Sequence, residues 1–234
     1  MALVTTPRTT HSYSELARLM SLMTGDEKHS MAATSTLDVI WTLYDRVLDI
    51  DPDRTADPLR DRFLLSKGHG PMAYYAVLAA KGFISEGKLA TFATYDSPLG
   101  HHPDGTLIPG VEIGSGSLGH GLPLAVGLAL GLRAQRNPAR VFCLVGDGEL
   151  DEGSNHEAIA IAARQHLSAL TTIVIDNQSA SQGWPGGIQS RFAVEGWATQ
   201  RVNGRDHDTI ARALHTPHRG RPLAVVALVE PRGA

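Results

Sequence analysis

Two short apolar runs, Arg140-Val-Phe-Cys-Leu-Val145 and Thr171-Thr-Ile-Val-Ile-Asp176, flank a helical pattern and end in polar, turn-forming residues. Both runs are rich in strand formers. Between them, from about Gly153 to His166, the residues Ala158, Ile159, Ala162 and Ala163 fall on one helical face. Strand, helix, strand is a crossover unit, right-handed when the strands are parallel. It sets two carboxyl ends side by side, where open α/β sheets bind their ligands. The first run ends in Gly146-Asp147-Gly148, and Asn177 follows after a further 28 residues, at the end of the second. Asp and Asn are hard oxygen donors. Magnesium takes a few such oxygens from protein and fills its octahedron with phosphate and water. The glycines let backbone N–H groups approach a phosphate. Gly-Asp-Gly alone is a common turn; the strand end, the helix and the second strand's Asn turn it into a magnesium-diphosphate clamp.

The rest of the chain fits an α/β domain. Helical patterns run over Tyr13–Thr24, Ser35–Leu48, Pro71–Lys81, Ser85–Ala93 and Gly119–Arg136 as well as Gly153–His166. Ser35 and Ser85 suit N-caps, Pro71 suits a first turn, and Ser35-Thr-Leu-Asp38 has capping-box spacing with Asp in place of Glu. Strand candidates are Arg62–Leu65, Val141–Val145, Thr171–Ile175, Thr199–Val202 and Leu223–Val229. They alternate little, as strands do when helices cover both faces of a sheet. The expected architecture is one domain over residues 13–234, a mostly parallel sheet with helices on both faces. Asp51–Arg62 is a charged surface loop, and Asp96–Gly116 is a long loop of Pro, Gly and His of the kind that usually carries function.

Bulk properties exclude several classes. The 234 residues carry a formal net charge of −3 and hold no basic footprint for nucleic acid. The single Cys143 forms no internal disulfide and reads as small core filler, which suits a cytoplasmic setting. No apolar run reaches membrane-span length. Met1–Ser12 is Thr-rich, lacks the apolar centre of a signal peptide and reads as a disordered lead-in.

Gly114-Ser-Gly116-Ser-Leu-Gly119 has dinucleotide-fingerprint spacing, but no clean strand precedes it and no acid stands about 20 residues on. It reads instead as a tight loop whose glycines admit a flat ligand. The helix that follows carries Gly121, Gly127 and Gly131, a pattern expected of a buried helix or of one at a subunit interface. His69, His102, His101 and His29 sit in turns or short polar stretches. Singly, each is a surface or packing residue; together, facing one pocket, neutral imidazoles hold hydroxyls and move protons. Glu149, Asp151 and Glu152 at a helix start either compensate its dipole or, at an interface, relay protons.

In order, Leu65-Ser-Lys-Gly-His-Gly70, Gly-His101-His102-Pro103, Pro109-Gly-Val-Glu, Gly114-Ser-Gly-Ser-Leu-Gly-His-Gly121, Gly146-Asp-Gly-Glu-Leu-Asp-Glu-Gly153 and Ile175-Asp-Asn177 resemble transketolase, from about Ser14 to Val229. The resemblance covers the first domain of that enzyme, so the chain looks like the N-terminal subunit of a split transketolase. It implies thiamine diphosphate and Mg2+ as cofactors. Asp147, Asn177 and the Ser179 carbonyl would bind the metal. His69, Gly116, Ser117, Leu118, Gly146, Gly148, Glu149 and Asn177 would line the cofactor. His69, His102 and His29 would serve the reaction, and Glu152 would touch a partner glutamate that this chain lacks. The implied partner is a C-terminal subunit with pyrimidine and C-terminal domains, in an α2β2 heterotetramer acting on a sugar or sugar phosphate. Three departures stand out. Glu27-Lys-His-Ser-Met31 replaces the family's Ser-Gly-His-Pro-Gly, Gln178 replaces a basic residue, and a further family histidine beyond this stretch has no counterpart. The competing readings are another thiamine enzyme, acting on 2-oxo acids or forming acyloins, and a non-catalytic scaffold.

Overall fold

The structure is a computed structural model that describes residues 10–25 and 34–230. Five strands, β1 (Arg62–Leu65), β2 (Val141–Gly146), β3 (Leu170–Asp176), β4 (Ala198–Asn203) and β5 (Leu223–Leu228), form one sheet. Its order is β1-β2-β3-β5-β4, and every pairing is parallel. Each strand lies where the sequence places it, with ends that differ by at most one residue. Every residue of β2 is buried, whereas the edge strand β4 is half-exposed.

The strands are apolar on both faces because both faces are covered. On one side Phe142, Leu144, Ile173, Ile175, Val225 and Ala227 pack under three helices. These are α1 (Leu16–Ser21), α2 (Leu37–Thr42) and α3 (Met72–Ala80). A short helix α4 (Glu86–Leu89) follows on this side. On the other side Val141, Cys143, Val145, Val174, Ala224 and Val226 pack under α5 (Gly121–Ala134), α6 (Gly153–Arg164) and α7 (Gly187–Val194). The last helix, α8 (His207–Leu214), returns to the first face through Ile210 and Leu214. Cys143 is wholly buried, and its burial pushes the thiol well above its ordinary range.

Several local expectations need correction. Thr10 N–H and Oγ1 both donate to the Ala80 carbonyl, each at 2.9 Å, so residues 10–12 of the expected lead-in are docked on the domain. Asp38 closes no capping box: it is buried and accepts from Tyr13 Oη (2.5 Å), Arg205 Nη1 (2.8 Å) and His207 Nε2 (2.8 Å). The helix expected over Ser85–Ala93 is the single turn α4; the residues after Leu89 continue only as turns, and Ala93 adopts a positive φ of 59°. Neither α7 nor α8 is among the expected helices. Each is eight residues long, and α7 begins at Gly187, which like its N-cap Gly186 adopts a positive φ, in a stretch that reads as loop. The glycine-rich helix α5 is not buried all round. Gly121 lies against Ser66, but nothing comes within 4 Å of a Cβ at Gly127 or Gly131, and Leu124 is 50% exposed.

Candidate active site

The carboxyl ends of β1, β2 and β3 converge with the long loop that leads into α5. The register pairs Gly146 with Ile175, so the residues that follow these strands emerge as neighbours. Asp147 N–H donates to the Ile175 carbonyl at 3.0 Å, which locks the first turn to the second. The Asp147 side chain is fully buried. Its Oδ1 accepts from Gly148 N–H (2.8 Å) and Ser179 Oγ (2.5 Å), and its Oδ2 from Ser179 N–H (2.6 Å) and Ala180 N–H (3.3 Å). Asn177 is buried beside this turn, and its Oδ1 has no hydrogen-bond partner. Buried polar atoms are nearly always paired, so an orphaned acceptor marks a place prepared for something else.

These oxygens pass a chemical test for a divalent cation. Carboxylate, side-chain amide and backbone carbonyl are hard donors. Among the described residues no three His, Cys, Asp or Glu side chains gather into a metal cage, so a cation here is held by mixed oxygens. The Ser179 carbonyl lies 3.3 Å from where a Cβ on Gly148 would stand, so a side chain at Gly148 would crowd the clamp.

The glycine loop is pressed against the histidines. Gly116 sits at φ +120°, and a Cβ there would lie 2.8 Å from His102 Cγ. A Cβ on Gly68 would lie 2.5 Å from Ser115 Cβ. His102 Nδ1 donates to the Gly68 carbonyl at 3.2 Å, which leaves Nε2 as the ring's outward nitrogen. The His69 and His102 rings meet edge to face with centroids 5.5 Å apart. His69 is half-buried and His102 exposed, so both are reachable from solvent. Ser117 is exposed and Leu118 half-buried on the same loop. His101 turns away to pack on Phe92 at 5.8 Å. His29 lies outside the described residues.

Glu149 anchors the loops of the site. It is buried, and its Oε1 accepts from Ser66 Oγ and from Gly119 N–H (3.0 Å), while Oε2 accepts from Gly146 N–H (3.2 Å). Burial pushes its pKa above the usual carboxylate value, and the three donors and the Lys67 charge pull the other way. The carboxylate therefore ties the ends of β1 and β2 to the start of α5. Glu152 is exposed and borders Gly119: a Cβ there would fall 2.7 Å from Glu152 Cβ.

Ser66, Ser115 and Asn155 carry no role in the sequence reading, yet they build the site. Ser66 links Glu149 to Gly121 N–H (3.0 Å), and Asn155 Nδ2 donates to the Glu149 carbonyl (2.6 Å). Ser115 Oγ is a second buried polar atom with no partner, on the glycine loop. No spacing signal reveals Ser66, whose partner lies 83 residues away.

Residues 18–227 match the family model described as transketolase, thiamine diphosphate binding domain. The chain belongs to this transketolase family. It is 60% identical over 227 residues to a Rhodococcoides fascians protein named ferredoxin fas2, covering 97% of this chain and 75% of that protein. It is 37% identical to an apulose-4-phosphate transketolase subunit of Actinobacillus succinogenes, covering 85% of this chain and 75% of the relative. It is 33% identical to the 6-deoxy-6-sulfo-D-fructose transketolase subunit SqwG of a Clostridium strain, again over 85% and 75%. Among solved structures, transketolase from Leishmania mexicana superposes with a TM-score of 0.73 at 25% identity, covering 93% of this chain and 36% of that one. The chain thus spans about a third of that full-length enzyme. The fold is that of the transketolase thiamine diphosphate-binding domain, and the chain spans three quarters, 75%, of each of the two relatives named as subunits. An iron–sulfur centre of the ferredoxin type needs four cysteine thiolates; these 234 residues hold one cysteine, buried in β2.

Proposed function

We propose that this chain is the diphosphate-binding subunit of a split transketolase and that it works with a separate pyrimidine-domain subunit. The reaction moves a two-carbon ketol unit from a ketose to an aldose: one carbon–carbon bond of the donor breaks, one to the acceptor carbonyl forms, and nothing is oxidised overall. The observation that carries this reading is the orphaned, buried Asn177 Oδ1 beside the Asp147 turn, in a chain of this family.

In this reading Asp147, Asn177 and the Ser179 carbonyl hold Mg2+, and the clamp offsets the diphosphate charge. Asp147 accepts from Gly148, Ser179 and Ala180, and the Ser179 hydroxyl is the one of these donors that could rotate away to free a carboxylate lone pair for a cation. Bound thiamine diphosphate supplies the electron sink for carbon–carbon cleavage. Gly116, Ser117 and Leu118 line it, and Gly146 and Gly148 leave room for its phosphates. Glu149 positions these loops through Ser66, Gly119 and Gly146. His69 and His102 hold sugar hydroxyls and carry protons. Glu152, exposed next to Gly119, faces the partner's activating carboxylate. We place the enzyme in the cytoplasm as an α2β2 assembly. Because relatives at 37% and 33% identity are named for a phosphorylated and a sulfonated sugar, the donor is a ketose with an anionic tail.

The test is reconstitution. This chain, a pyrimidine-domain subunit, thiamine diphosphate and Mg2+ together should consume a ketose phosphate donor with an aldose acceptor, and omission of either protein should abolish turnover. Decarboxylation of pyruvate in place of ketose cleavage would overturn the reading in favour of a 2-oxo acid enzyme.

A further inference from the structure

The opposite end of the sheet holds a second concavity, of about 360 Å³. Its walls are the starts of β2 and β3 and the turn between α8 and β5. Arg140, Thr171, His215, His218 and Arg219 supply its polar lining, and Phe142, Leu214 and Pro217 its apolar lining. At about 3.3 Å per residue, the six residues of β2 put it some ~20 Å from the Asp147 turn. The two sites share no residue.

The charge around this cavity runs one way. No carboxylate lines it. From Thr209 to Val229 the chain holds Arg212, His215, His218, Arg219 and Arg221 and no acid, in a protein of net charge −3. Arg140 is the one lining cation with a partner, Asp61, and its guanidinium also lies 5.0 Å over the Phe142 ring. Arg219 is exposed and has no ion pair among the described residues. His166 sits behind the turn, its Nδ1 donating to the Gly220 carbonyl at 3.2 Å.

The two lining imidazoles are fixed in the same sense. His215 Nδ1 donates to the Ala211 carbonyl and His218 Nδ1 to the Arg221 carbonyl, both at 2.8 Å. Each ring keeps Nε2 without a protein partner among the described residues. Such a nitrogen accepts when the ring is neutral and donates when it is protonated. A phosphomonoester satisfies both states, because its hydrogen form carries an O–H and its dianion accepts three or more hydrogen bonds. Guanidinium adds planar, charge-assisted recognition of phosphate. The apolar lining gives such a ligand a body to bury.

We propose that this cavity is a binding site for a small organic phosphomonoester, separate from the cofactor site. The test uses the full chain labelled at histidine. Inorganic phosphate and phenyl phosphate are titrated while the imidazole signals are followed by NMR, with sodium chloride at matched ionic strength as control. His215→Gln and His218→Gln assign the two signals among the eleven histidines. The expected result is saturable shifts at both rings, tighter binding of phenyl phosphate than of phosphate by about fivefold or more, and at least tenfold weaker binding in Arg219→Glu with an unchanged melting temperature. Equal shifts with sodium chloride, or undiminished affinity in Arg219→Glu, would overturn the proposal.

Discussion

Ser66 and Glu149 meet across 83 residues of chain, the hydroxyl donating to Oε1 while it accepts from Gly121 N–H at 3.0 Å. One side chain thereby joins the end of β1, the turn after β2 and the start of α5. Replacing Ser66 with Ala should leave the Gly121 N–H and one Glu149 oxygen underserved in the interior. The expected cost is about 1–3 kcal/mol, the usual penalty for stranding buried polar groups. Urea unfolding followed by circular dichroism measures it. An unchanged midpoint would mean that Glu149 does not hold these loops together.

Asp147 and Asn177 should separate stability from metal binding. Asp147 accepts from four donors on two turns, so Asp147→Ala should both destabilise the folded chain and abolish magnesium-dependent cofactor binding in the assembled enzyme. Asn177 Oδ1 makes no hydrogen bond, so Asn177→Ala should lower the melting temperature less while losing the same metal dependence. Calorimetric titration of cofactor at several magnesium concentrations, beside thermal melts, reads both. Full cofactor affinity in Asn177→Ala would remove it from the clamp.

The sheet was legible because its signal is local. Each strand is a short run of β-formers buried on both faces, and Gly146-Asp147-Gly148 and Asn177 follow from where two such runs end. What stayed hidden depends on distance or on weak local pattern. Asp38 reads as a helix-start acid and is instead held by Tyr13, Arg205 and His207 from two other parts of the chain. Spacing cannot foretell partners 167 and 169 residues away. Glu149 stands two residues after Asp147, and its contact with Ser66, 83 residues away in sequence, has no local signal. The helix α7 is two turns long and opens on glycines, where periodicity has too few residues to speak, whereas α8 does carry a local signal, the Asp206 N-cap ahead of the buried Ile210, Ala213 and Leu214.

The Tyr13 hydroxyl gives a pH signature. Burial, together with the Asp38 carboxylate that accepts its proton, pushes its pKa up to about 12. A group with a raised folded pKa stabilises the fold fully below its unfolded pKa, about 10 for tyrosine, and that contribution fades as pH climbs through the folded value. The stability advantage of the wild-type chain over Tyr13→Phe should therefore hold up to about pH 10 and shrink between about 10 and 12. Chemical denaturation at stepped pH tests it. A difference that stays constant across that window would show that Tyr13 and Asp38 are not coupled.

His69 and His102 form the last and most direct test of the site. Their rings lie 5.5 Å apart, beside a glycine that allows no side chain, and His102 is held by the Gly68 carbonyl through Nδ1. A histidine fixed on one side and open on the other is suited to a hydroxyl or a moving proton. Positioned groups of this kind typically contribute about 10²–10⁴-fold in rate. Ala at either position should therefore lower kcat in the reconstituted enzyme by that order. His102 is exposed, so its loss should cost little stability, within about 0.5 kcal/mol for a surface change. Packing residues give the reverse pattern, a lower melting temperature with normal turnover per folded molecule. Melting temperature and kcat measured on the same assembled variants distinguish the two. Unchanged kcat in both variants would take the histidines out of the chemistry and leave the Asp147 and Asn177 clamp standing, because that assignment rests on other atoms.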